Sequence, residues 1–252
     1  MRFAGLKLAL IGVCLALAGC SGESSSLSAA LTGGEQQTAD KVGFNPYSQA
    51  SETAASAREV ILNPTVAEVM EAGPLGEMSW GKAEAPVTVM QYASLTCQHC
   101  RKFHADVYPI MKREFIDTGK VRYILREFPI GKSSGTATIA LRCAPADKYL
   151  PLYGKFMEQQ GNWVSQEVRT DQIMKVASQV GITGEQFNAC LTNQDMINKL
   201  NQIKDRGRKL GIIGTPNFFI NGMLVKSTVG IEHIRAAVAA SEAGPVAAAK
   251  VN

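Results

Sequence analysis

The chain has 252 residues, 46% of them hydrophobic, which is enough to build one sizeable core with room for a subdomain. Its net charge of +4 includes Arg2 and Lys7 in an N-terminal stretch without acids, so the remainder carries about +2. So small an excess excludes a nucleic-acid partner.

The first 20 residues read as an export leader: Arg2 and Lys7, then an apolar run from Leu8 to Leu17, too short to span a bilayer as a mature helix. Leu17-Ala18-Gly19-Cys20-Ser21 is similar to a bacterial lipobox, in which Cys20 becomes the acylated first residue of the mature protein. The alternative is ordinary cleavage after Ala16-Leu17-Ala18. That would leave Cys20 as an odd, exposed thiol in an oxidising compartment, so cysteine counting favours possible lipidation of Cys20 and attachment to a membrane. Residues 21–57 are rich in Ser, Ala, Gly, Gln and Thr and read as a flexible spacer. Val60, Ile61, Val66, Val69 and Met70 predict a short amphipathic helical segment within 58–79, broken at Pro64 and ended near Gly73-Pro74.

Val87, Val89 and Met90 open a buried strand running to about Tyr92. A helix follows from a Thr96 N-cap, with Phe103, Val107, Ile110 and Met111 at helical spacing and Pro109 kinking it. Residues 121–128 (VRYILREF) form the next strand. From about 133 to 211 the pattern is wholly helical and contains a capping box at Thr183-x-x-Gln186. Residues 217–225 (NFFINGMLV) predict a hairpin turning at Asn221-Gly222, with Phe218 and Phe219 shared between the core and a groove beside Pro216. A helix over Ile231–Ala240 closes the folded part, and 243–252 read as a frayed tail. The fold class is thus α/β: a sheet domain over 80–242 interrupted by a helical insertion.

Cys97-Gln98-His99-Cys100 carries the chemistry. Two thiols two residues apart at a helix start can close a disulfide and reopen it by exchange. Unpaired backbone N–H groups and the dipole at a helix N-terminus favour a negative sulfur, and His99 can add a positive charge or a hydrogen bond to the same thiolate. Cys97 is the exposed sulfur and Cys100, one turn deeper, the resolving one. Other readings are a structural disulfide and a zinc site seeded by Cys97, Cys100 and His104. The spacing of Cys143 and Cys190 supplies no second ligand pair, and His104 falls near the apolar helix face as a partly buried structural histidine. Arg101 stands where a haem ligand would be. No metal and no cofactor are expected. Cys14 leaves with the leader, so Cys143 and Cys190 remain for each other as a structural disulfide in the helical domain. Lys204, Arg206, Arg208 and Lys209 read as a solvated helix end, and Trp80 and Trp163 as packing residues.

Taken together, Pro86-Val87-Thr88-Val89, the Cys97–Cys100 motif with Phe103-His104, Cys143 in the insertion, and residues 214–222 (GTPNFFING) resemble the DsbA-like branch of the thioredoxin superfamily. The resemblance implies a thioredoxin-like sheet domain with a helical insertion, a cis Pro216 facing the active disulfide, and contact of Thr215 with the substrate backbone. It implies a periplasmic dithiol oxidase acting on reduced exported proteins and reoxidised by a quinone-linked membrane redox partner. An isomerase or reductase of the same fold is the first alternative, and a binding or chaperone-like lipoprotein with an inert disulfide the second. Two positions depart from the pattern. Gln91 stands where relatives often carry a buried proton-relaying acid, which leaves Glu127 as a substitute, and Gln98 replaces a frequent loop proline.

Overall fold

The structure, a computed structural model, describes residues 60–225 and 228–244. The leader with Cys14 and Cys20, the spacer at 21–57 and most of the C-terminal tail lie outside the described residues. Among the described residues no helix is long and apolar enough to cross a membrane.

Strand β1 (Met78–Trp80) precedes β2 (Val87–Ala93), and β3 (Val121–Glu127) runs parallel to β2 from Val87↔Val121 to Ala93↔Glu127. β1 adds antiparallel to the far side of β3. β4 (Asn217–Ile220) adds antiparallel to β2, and β5 (Met223–Val225) to β4, giving the order β1-β3-β2-β4-β5. The turn joining β4 to β5 needs two positive φ values, and Asn221 (φ 48°) with Gly222 (φ 81°) supplies them. The Asn221 side chain also accepts from the Thr88 N–H at 2.8 Å, fixing the hairpin to β2.

Both sheet faces are covered, so the central strands are apolar without alternation. Val87, Val89, Ala93, Tyr123, Leu125 and Phe218 point into the larger core, shared with the helices. Met90, Tyr92, Ile124, Phe128 and Phe219 point the other way, onto Val69, Leu210 and Ile212. Phe218 and Phe219 are therefore both core residues, one per face, and neither lines a groove beside Pro216.

The second face is closed by the N-terminal segment and by α9 (Gln194–Lys209). The expected helix from Val60 shrinks to α1 (Val66–Met70). Asn63 adopts φ 54°, Pro64 follows, and Thr65 with Glu68 forms a capping box that restarts the chain as a helix. Upstream, Ile61 N–H donates to the Lys209 carbonyl at 2.8 Å. Arg126, buried on β3, ties the segment down: it donates to both Glu77 carboxylate oxygens (2.9 and 3.0 Å) and to the Val69 and Glu71 carbonyls (2.9 and 2.8 Å). Gly207 lets α9 approach, since a Cβ there would meet Tyr92 at 2.8 Å. The basic cluster of α9 is not simply a solvated end. Lys204 is buried, donates to the Pro129 carbonyl at 2.6 Å and lies over the Phe128 ring, while Arg206 holds the Glu68 carbonyl (2.7 Å) and the Glu71 carboxylate (2.6 Å).

On the first face the chain after β2 forms one continuous helical run. It comprises α2 (Gln98–Lys102), a π turn (Phe103–Val107), α3 (Tyr108–Met111) and a second π turn (Lys112–Ile116). Pro109 sits inside this run, and the chain absorbs the proline by widening the turns on either side of α3. The helical stretch between β3 and β4 comprises α4 (Lys132–Arg142), α5 (Ala146–Glu158), α6 (Gln160–Trp163), α7 (Thr170–Ser178), α8 (Gly184–Leu191) and α9. Thr183 and Gln186 make both bonds of the capping box that starts α8. Trp163 is fully enclosed and Trp80 stacks on Tyr123 at 5.8 Å. Cys143, which caps α4, and Cys190 in α8 are joined by a disulfide with Cα atoms 6.2 Å apart. α10 (Ile231–Glu242) packs on β2 and α3.

Candidate active site

β2 ends at Ala93, and the chain turns through Ser94-Leu95-Thr96 into α2 at the carboxyl end of the parallel pair. Cys97, not Thr96, caps the helix: its backbone is extended (φ −80°, ψ 119°) and its Sγ accepts from the Cys100 N–H at 3.2 Å. The Thr96 hydroxyl is used elsewhere, donating to the Ile130 carbonyl at 3.3 Å and lying beside Ser94 Oγ at 3.1 Å. The Ser94 hydroxyl meets Ser134 at 2.8 Å and so docks the start of α4 against the loop.

Both site cysteines are thiols in this structure, Cys97 half-exposed and Cys100 fully buried. Thr215-Pro216 is a cis peptide entering β4, and the Thr215 carbonyl accepts from Cys97 Sγ at 3.2 Å. The loop more than a hundred residues downstream thus abuts the sulfur. Cys97 is lowered to about 6, first by a hydrogen bond from the Cys100 thiol. Partial burial opposes this, while the Thr215 side chain and the backbone N–H groups of Cys100 and His99 add to it. His99 therefore contributes through its amide. Its side chain is exposed. Cys100 moves the other way: burial pushes its thiol far above the usual range, and its bond to Cys97 adds to that.

Cys100 belongs to the core cluster that also holds Phe103, Tyr108, Tyr123 and Tyr153. Gln91 accepts from the Tyr123 hydroxyl at 2.5 Å, and its Nε2 is buried without a partner among the described residues. Tyr123 lies 5.4 Å from Tyr108, measured between ring centres, and the His104 ring sits between Tyr108 (5.2 Å, stacked) and Tyr153 (5.1 Å, edge-on). Glu127 does not replace the missing acid. It is paired with Arg142 and accepts from the Tyr149 hydroxyl at 2.7 Å. Beside α2 opens a groove of about 610 Å³, lined by His99, Arg101, Lys102, His104, Met157 and Glu158 among others. Among the described residues no three His, Cys, Asp or Glu side chains converge to hold a metal ion.

Gln160 was not singled out by the sequence. Buried in α6, its Nε2 donates to the Leu95 carbonyl at 2.7 Å and to the Cys97 carbonyl at 3.2 Å, so the insertion grips the loop that carries the sulfur. No local spacing marks such a glutamine; only the tertiary fold brings it to the loop.

A family model described as thioredoxin matches residues 75–240. A candidate protein-disulfide oxidoreductase of Rickettsia typhi is 29% identical over 64% of this chain and 60% of its own length. The chain thus spans about three fifths of that relative. Disulfide bond formation protein D of Bacillus subtilis is 25% identical over 64% of this chain and 74% of its own length. Among solved structures, alpha-DsbA1 of Wolbachia pipientis covers 73% of this chain and 98% of its own, at 25% identity and a TM-score of 0.65. Oxidised BdbD of Bacillus subtilis, at 22% identity and a TM-score of 0.62 over 75% of this chain and all of its own, shares the fold.

Proposed function

The chain belongs to the thioredoxin family in its DsbA-like form, and from that premise we propose that it is an exported thiol-disulfide oxidoreductase that donates a Cys97–Cys100 disulfide to reduced proteins. The observation that carries the reading is the asymmetry of the two sulfurs. One is half-exposed, lowered to about 6 and set against the Thr215 carbonyl; the other is buried and held protonated.

In the forward reaction a client thiolate attacks Cys97 Sγ. The Cys97–Cys100 bond breaks, a Cys97–client disulfide forms, and Cys100 departs and takes up a proton. A second client thiolate then attacks its partner sulfur and expels Cys97 as a thiolate, so the client loses two electrons and the site gains them. Cys97 is a good leaving group because its anion is stabilised. A polypeptide client fits the rim: Ile213 is 96% exposed two residues before Thr215, and Ile130 is 40% exposed where its carbonyl meets Thr96. The Thr215 backbone beside Cys97 offers a client an edge to pair with. A quinone-linked membrane oxidase would restore the disulfide, and the leader with Cys20 would place the enzyme outside the cytoplasm, tethered by lipid.

Equilibration with glutathione buffers of known ratio tests this. A strongly oxidising Cys97–Cys100 potential, above about −180 mV, supports an oxidase, and a thioredoxin-like one near −270 mV assigns the site to a reductase. No exchange at all would leave a binding protein with an inert pair.

A further inference from the structure

Cys97 Sγ meets the Cys100 N–H and the Thr215 carbonyl only while the Cys97 backbone keeps the extended conformation that caps α2. Local bonds hold part of that conformation. The Cys97 N–H donates to the Ser94 carbonyl at 3.1 Å, and the Cys97 carbonyl accepts from the Arg101 N–H at 3.1 Å. A carbonyl has two lone pairs, so Cys97 can accept once more, and the Leu95 carbonyl also needs a donor. Gln160 serves both: its Nε2 lies 2.7 Å from the Leu95 oxygen and 3.2 Å from the Cys97 oxygen. A primary amide carries two protons on one nitrogen, so one side chain can hold two carbonyls two residues apart and fix the path between them. Gln160 is 5% exposed and Leu95 is 3% exposed, so loss of this donor strips a hydrogen bond from backbone shielded from water.

The base of Gln160 is itself anchored. Trp163, in the same short helix, is fully enclosed, donates from Nε1 to the Phe156 carbonyl at 2.9 Å and packs edge-on against the Phe156 ring. Just beyond α6, the Ser165 carbonyl accepts from the Ser133 hydroxyl of α4 at 2.9 Å. The other end of the Cys97 loop is tied to α4 as well: Ser94 Oγ lies 2.8 Å from Ser134 Oγ and accepts from the Ile130 N–H at 3.2 Å. The helical insertion thus grips the loop both before Leu95 and at Cys97.

We propose that Gln160 is a positioning residue for disulfide exchange at Cys97, an inference that deepens the function proposed above and rests on it. Gln160 does not touch the sulfur. It acts through the backbone, holding Cys97 in the conformation in which the Cys100 and His99 N–H groups stabilise the thiolate. Docking of the insertion is thereby coupled to the reactivity of a sulfur carried by the sheet domain.

Two variants of the full chain test this. Gln160→Met keeps the length of the side chain but offers no donor. Gln160→Glu keeps its shape, and the carboxyl, held protonated by burial, offers one O–H in place of two N–H bonds. The reduced proteins are alkylated with iodoacetamide across a pH series, Cys97 modification is followed by peptide mass, and each protein is equilibrated with glutathione buffers. In Gln160→Met the Cys97 midpoint is expected to rise from about 6 by at least ~0.5 pH unit, with its disulfide favoured ~3-fold more at neutral pH. Gln160→Glu should fall between Gln160→Met and the wild type. Urea unfolding reads stability separately. Lost stability with an unchanged midpoint and glutathione equilibrium would overturn the positioning role and leave Gln160 as a packing residue. Should Gln160→Met fail to fold, Gln160→Glu is read alone, and a midpoint equal to that of the wild type overturns the proposal. If the wild type itself shows an ordinary thiol midpoint and no exchange with glutathione, the exchange reading falls and the positioning role with it.

Discussion

At the scale of single residues the chemistry turns on what surrounds Cys97. The two-residue spacing of the thiols and the helix that follows them are legible in the chain, because a helix start offers unpaired N–H groups whatever the wider fold. The partition of the effect is not legible. His99 looks like the natural source of charge, but its side chain is exposed while its amide and the Thr215 side chain reach the sulfur. His99→Ala should therefore move the Cys97 titration by less than about half a pKa unit, the scale of an exposed charge interaction. Thr215→Val should raise it by more, and both are read by ultraviolet thiolate absorbance. A lowered thiol stabilises the reduced fold above the ordinary cysteine value, and that stability is lost as pH falls through about 6. At pH 7 it contributes at most about 1.4 kcal/mol, or about 30 mV of oxidising power, and less once solvent screening of a half-exposed sulfur is counted.

At the scale of elements, those with a local cause are the legible ones. The Asn221-Gly222 hairpin and the Thr183–Gln186 capping box depend on residues a few positions apart, and the sequence places both. The N-terminal segment and the end of α9 escape such reasoning. Their partners are distant: Arg126 reaches Glu77 and the Val69 and Glu71 carbonyls, and Arg206 reaches Glu68 and Glu71. Because Arg126 is buried with its acid, Arg126→Ala should cost about 3–5 kcal/mol in a denaturant titration and loosen the segment over 60–77 toward proteolysis. The Cys143–Cys190 disulfide joins α4 to α8 across 47 residues. Replacing both cysteines by serine should destabilise the chain by about 4 kcal/mol in the loop-entropy estimate while leaving a Cys97 thiol that still reacts.

At the scale of the whole molecule, the active sulfur sits where three separately encoded pieces meet. β2 delivers Cys97 to the carboxyl end of the parallel pair, α6 grips its carbonyl through Gln160, and the loop entering β4 sets Thr215 against it. The α/β class and the helical insertion are readable from periodicity, since strand and helix patterns change where the chain changes layer. The meeting point itself depends on packing over more than a hundred residues, and so Gln160 and the tyrosines behind Cys100 emerge only in three dimensions. Exchange at this site depends on ionisation of Cys97 in the assembled protein. The most direct measurement is the pH dependence of Cys97 alkylation in the reduced wild-type chain: a reactivity midpoint at about 6 is predicted, and a midpoint near the value of about 8.5 of a free cysteine would contradict it.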